Sequence, residues 1–177
     1  MSLVFGDAAA FDAWLSGPGA TEREAWLVVA RKGVSGLTTD EAGDVAIAHG
    51  WIDSHRRALS GSHFRQRYSP RRPGSAWSQV NVERVETLAA AGRLRAGGHA
   101  EMVAAKADGR WAAAYPPQAT AVTPPALAAA LAADPGAAAA YAALSRSARY
   151  TLFLPLLKAR TPKTRATALK RILNVFG

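Results

Sequence analysis

The chain has 177 residues, 49% of them hydrophobic, no cysteine and a formal net charge of +9. That length predicts one domain, or one domain with a terminal appendage, with enough apolar residues for a real core. The lack of cysteine excludes disulfides and thiolate metal sites, and no run approaches the about 18 apolar residues of a membrane span.

The start, "MSLVFGDAAAFDAWLSGPG", has no basic n-region and no clean apolar h-region, so a cytoplasmic protein is expected. "DAAAFDAWLS" (7–16) predicts a short helix capped by Asp7, with Phe11, Trp14 and Leu15 as its apolar stripe. "AWLVVA" (25–30) is a continuous β-branched and aromatic run and predicts a buried central strand. "TTDEAGDVAIAHG" (38–50) predicts a helix with a capping box at Thr38 and Glu41 and a left-handed stop at Gly50.

"WIDSHRRAL" (51–59) and "HFRQRYSPR" (63–71) flank "SGS", the pattern of a β-hairpin with a three-residue loop. Alternation puts Trp51, Asp53, His55, Arg57 and Leu59 on one face of its first strand. On the second strand it puts Arg65, Arg67, Ser69 and Arg71 together, opposite Phe64 and Tyr68. Ser75 or Ser78 is the expected cap of a helix reaching about Ala91, and a further helix covers about 97–108. "YPPQATAVTPP" (115–125) reads as a loop, and two Ala-rich helices follow. Pro155 is expected to kink or break the apolar segment 145–157, and the last helix starts with Thr161 as N-cap and Pro162 at N1. The expected fold class is α+β: a small, mainly antiparallel sheet with a β-hairpin, covered by helices, then a helical C-terminal half. The expected division is a core domain at 1–115 and a helical subdomain at 116–177.

The charge is divided unevenly. Residues 1–53 hold 3 bases and 8 acids, residues 54–82 hold 6 arginines and no acid, and residues 135–177 hold 8 bases and no acid. Two acid-free basic blocks predict an anionic partner, or an acidic counterpart in the same chain.

The blocks "EAGDVAIAHGWIDS", "RQRYSPRRPGSAWSQVNVERVETLAAAGRL" and "GHAEMVAAKADGRW", in this order and at close spacing, resemble the YdeI/OmpD-associated or bacteriocin-protection family. The resemblance runs from about Trp14 to Trp111, and the tail "LLKARTPKTRATALKRI" resembles the family's C-terminal segment less closely. It implies a role in tolerance to bacteriocins, antimicrobial peptides or other stress. It implies no reaction and no cofactor.

The candidate site is the junction of hairpin and helix: Trp51, Asp53, Arg67, Arg71, Ser75, Trp77, Ser78 and Asn81. Guanidinium forks match phosphate or carboxylate, a helix start favours anions, and two indoles would wall a small-ligand pocket. In that reading Arg67 and Arg71 hold the anion and Asp53 orients an arginine. The structural alternative is a network in which Asp53 pairs with an arginine and Ser75 only caps. Two further functions fit the same residues: nucleic-acid binding by the basic hairpin and the C-terminal helix, and hydrolase-like chemistry with Asp53 and His55 as an acid–base pair. A membrane-surface contact through the terminal helix is a fourth. Four histidines without H-x-x-x-H spacing give no metal motif.

Overall fold

The structure is a computed structural model that describes residues 2–177. It is an α+β protein with a four-stranded, mostly antiparallel sheet and a helical C-terminal half. The chain forms two compact units: residues up to Trp77 together with Asn81–Ala113, and Ser78–Val80 together with Ala114–Gly177. No helix of the described residues is long and apolar enough to cross a membrane.

The first unit contains β1 (Leu3–Val4), α1 (Ala8–Ser16), β2 (Ala25–Ala30), α2 (Thr39–Ala48), β3 (Trp51–Ala58), β4 (His63–Pro70), all but the first two residues of α3 (Gln79–Ala90), and α4 (Ala96–Ala107). The two helices before the hairpin start as their sequences dictate. Ala10 N–H donates to Asp7 Oδ1 at 2.8 Å, and Thr38 and Glu41 exchange both bonds of a capping box. Gly50 takes φ +80°, which reverses the chain from α2 into β3.

The strand order is β1-β2-β4-β3, with β1 parallel to β2 and the other pairs antiparallel. The two-residue β1 is too short to leave a periodic signal, and sequence reading does not find it. On the inner face Leu27, Val29, Trp51 and Tyr68 pack against Phe11 and Leu15 of α1 and Ala42, Val45 and Ala46 of α2. Burying each of the large side chains is worth about 1.5–3 kcal/mol. The strand β2 is not buried on both faces as its unbroken apolar run suggests: Leu27 and Val29 are buried, while Trp26 and Val28 stay half-buried on the outer face.

The hairpin departs from simple alternation. Asp53 lies opposite Tyr68 and Arg56 opposite Gln66, so β3 advances three residues while β4 advances two. This is a β-bulge at Ser54–His55. Gln66, 1% exposed, fits it: its Nε2 donates to the carbonyls of Ser54 and His55 at 3.5 and 3.4 Å, and its Oε1 accepts from Arg56 Nε at 2.6 Å. The extra residue moves Arg56 to the inner side and Arg57 to the outer side, so Asp53 and Arg57 do not share one face.

Of the two expected caps, Ser78 stands immediately before the helix and Ser75 does not. Ser75 Oγ donates to the Arg72 carbonyl at 2.6 Å within a turn, and α3 begins only at Gln79.

The second unit is helical: α5 (Pro125–Ala132), α6 (Pro135–Ala143), α7 (Arg146–Lys158) and α8 (Pro162–Leu173). Its core joins Leu127, Leu131, Tyr141, Phe153, Leu156 and Ile172. Thr161 caps α8 with Pro162 at the first position, as expected. Pro155 does not break α7; it sits on the exposed side, where its missing N–H costs least.

Candidate functional site

The outer face of the sheet is where the hairpin's basic block is displayed. The cross-strand row Val4–Val28–Arg65–Arg57 runs over all four strands, and a second row pairs Trp26 with Arg67. Val4 and Arg57 are exposed, and Trp26, Val28, Arg65 and Arg67 are half-buried.

Within these rows the charges differ in partnership. Arg67 donates through Nε and Nη2 to Glu24 Oε2 at 2.9 and 2.6 Å, and through Nη1 to Ser54 Oγ at 3.1 Å. It is a neutralised surface pair. Arg57 and Arg65 face each other across β3 and β4 and, among the described residues, neither has a carboxylate within 4.0 Å. Arg65 Nε is buried and has no acceptor among the described residues. Like charges opposed on adjacent strands destabilise a sheet. The Arg57 guanidinium is held 5.0 Å above the ring of Trp26.

The eight residues expected at the hairpin–helix junction are dispersed: Arg67 lies on the outer face with Glu24, Ser78 belongs to the other unit, and the remaining six fall into three surroundings. Trp51 is a core residue, 5% exposed, edge-on to Trp14 at 6.3 Å. Asp53 is exposed, and with Trp51, Asn81 and Arg84 it borders a cleft of about 10 Å³, room for about one water. Among the described residues Asp53 has no arginine within 4.0 Å; Arg84 pairs with Asp44 at 3.0 Å and Arg67 with Glu24. Arg71, Ser75 and Trp77 form the third group. The Arg71 side chain is fully buried, stacks 3.9 Å above the Trp77 ring, donates to the Ala76 carbonyl at 2.8 Å and lies 3.9 Å from Glu101. Trp77 packs on Trp111 at 4.8 Å, and Arg110 donates to the Ser75 carbonyl at 3.1 Å. This group is packed side chain against side chain. Ser78 falls in the other unit, where its backbone bridges Tyr115.

The acid–base alternative also has a clear geometry. Asp53 and His55 are both exposed; Asp53 precedes the bulge and His55 lies in it, and among the described residues no hydrogen bond joins them. The His–carboxylate pair in this unit is His49 Nε2 with Asp12 Oδ1 at 2.8 Å, and Asp12 also accepts from Arg95 at 2.6 and 3.2 Å. The Arg95 hydrogen bond, and then that of His49, hold the Asp12 carboxyl below the usual range. The arrangement ties α1 to the end of α2 and the start of α4.

Two family models match the chain. Residues 3–101 match a domain of unknown function (DUF8412), which is more than half of the sequence. The chain belongs to this family. Residues 120–174 match the family described as Bacteriocin-protection, YdeI or OmpD-Associated, so the helical unit carries the kinship expected from sequence. That kinship lies in the tail, where the resemblance looks weaker, and the blocks around the hairpin fall largely in the domain of unknown function. Neither a curated protein nor a solved structure matches the chain.

Arg57, Arg65, Glu24 and Trp26 are the outer-face residues that the expected site omits. Their signal was present in β2, where strict alternation separates Trp26 and Val28 from Leu27 and Val29.

Proposed function

We propose that this protein is a non-catalytic binding protein of the bacteriocin-protection type, and that its N-terminal unit grips an extended anionic partner on the open face of the sheet. The reading rests on one observation: Arg57 and Arg65 are opposed across the hairpin without a carboxylate, one of them with a buried Nε that lacks an acceptor. An anion lying across the accessible N–H groups of the two guanidiniums relieves their mutual repulsion. The partner is extended rather than small because the junction has room for about one water while the outer face is an open row. Single-stranded nucleic acid is the polyanion class whose bases would also stack on the Arg57 guanidinium where it covers the Trp26 ring. Bacteriocin protection is the role such binding would serve, by the description of the family matched at residues 120–174. The test is retention of a single-stranded oligonucleotide by the wild type and by Arg57→Gln and Arg65→Gln. Weaker binding by both variants supports the reading, and wild-type binding by both refutes it.

A further inference from the structure

The helical unit contains a second basic feature that the hairpin reading does not use. A cleft of about 550 Å³ opens between the loop before α5 and the start of α7. That volume lies in the range of small-molecule sites. One side is aromatic: Tyr141, Tyr150 and Phe153, the last two packed edge to face at 5.7 Å. The Tyr141 and Tyr150 hydroxyls are already engaged, with Thr123 Oγ1 at 2.7 Å and the Pro116 carbonyl at 3.0 Å, so the rings are fixed. The lining also includes Arg146 and Arg149, three residues apart in the first turn of α7.

Two cations in the first turn of a helix are at its unfavourable end and repel each other. Among the described residues no carboxylate lies within 4.0 Å of either. The unit as a whole holds eight bases against one acid, Asp134, and Asp134 is spent capping α6 through the Ala137 N–H at 3.0 Å. The guanidiniums are nevertheless anchored. Arg149 donates through Nε to the Leu144 carbonyl at 3.0 Å and through Nη2 to the Ala142 carbonyl, over the Tyr141 ring at 5.4 Å; Arg146 donates through Nη2 to the Ala119 carbonyl. Anchoring to backbone carbonyls sets their orientation without neutralising their charge, and each keeps further N–H donors.

We infer that this cleft is a binding site for a small organic anion: a carboxylate or phosphate head held by Arg146 and Arg149, on a flat apolar body lying against Tyr141, Tyr150 and Phe153. A bare anion would gain only the charge interactions. A body packed against the aromatic rings of the lining adds apolar burial in a preformed space.

The test is calorimetric titration of the full chain with phenyl phosphate, benzoate and inorganic phosphate. Saturable binding of one or both aromatic anions at one per chain, at least tenfold tighter than inorganic phosphate, is expected, and which of the two binds assigns the head group. Arg146→Gln, at an exposed position, should weaken that binding at least tenfold. Val122→Trp, which fills the cleft from a residue that is 75% exposed and leaves both guanidiniums in place, should abolish it. Lys163→Gln on α8, outside the cleft, should leave it unchanged. The inference is overturned if neither aromatic anion binds the wild type more tightly than inorganic phosphate. It is also overturned if Arg146→Gln and Val122→Trp, with helical circular dichroism intact, bind as the wild type does, or if Lys163→Gln weakens binding as much as Arg146→Gln.

Discussion

Replacing Gly97 by alanine probes the contact that orients the first unit's helices around its sheet. Gly97 lies in the first turn of α4, against the backbone at the end of α2. A Cβ there would stand 2.3 Å from the His49 carbonyl oxygen and 3.1 Å from its carbon. Both obstacles are backbone, so no rotamer change relieves them. The neighbouring Gly98 has the same relation to the Ala48 carbonyl at 2.3 Å, and Arg95 N–H donates to that carbonyl at 3.0 Å. In an open helix, Gly→Ala stabilises by about 1 kcal/mol. Here overpacking at the upper end of its usual cost, about 3 kcal/mol, opposes that gain and leaves a net loss of about 2 kcal/mol. Gly92 is the control: its φ is +66° but a Cβ would meet nothing within 4 Å, so Gly92→Ala should cost only the left-handed strain, about 1 kcal/mol. Urea unfolding followed by tryptophan fluorescence reads this unit alone, because all five tryptophans lie in it. Gly97→Ala as stable as the wild type, or more so, would refute the close approach of α2 and α4.

Two further substitutions test the electrostatics of the same unit. The Tyr68 hydroxyl is fully buried without a partner among the described residues, and burial raises its pKa well above the usual phenol range. Tyr68→Phe should therefore leave stability unchanged or raise it by about 1 kcal/mol in the urea midpoint; a loss above about 2 kcal/mol would mean that the hydroxyl has a structural partner. Asp12 has a depressed pKa in the folded state, through Arg95 and then His49, so its contribution is full above the unfolded carboxylate pKa and disappears as pH falls through the lower folded value. Asp12→Asn should cost about 1–2 kcal/mol at neutral pH, with the gap to the wild type closing below about pH 4; a gap independent of pH contradicts the ion-pair account.

Much of the fold was legible because its signals are local. Asp7, the Thr38–Glu41 box, Gly50 and Thr161–Pro162 each act within a few residues of their own position, and the structure places all of them as read. The candidate site was less legible because its geometry is set by distant partners. The bulge at Ser54–His55 is accommodated by Gln66 on the facing strand, and one inserted residue reverses the face of every later side chain. Arg67 is neutralised by Glu24, 43 residues away, and Arg71 is enclosed by Trp77 and Glu101. Trp51 and Trp77 announced a ligand wall by type, yet large aromatics serve cores first, and both are buried. The anchoring of Arg146 and Arg149 depends on carbonyls whose direction no side-chain pattern reveals.

The central claim is that the outer face of the sheet meets a polyanion through Arg57 and Arg65. Its most direct test is the affinity for a single-stranded oligonucleotide measured over a range of salt concentrations. The account predicts a steep linear fall of log K with log salt, and a slope reduced by about two in the Arg57→Gln/Arg65→Gln double variant, about one for each phosphate that is no longer neutralised. A wild-type slope near zero, or a double variant with the wild-type slope, would contradict it.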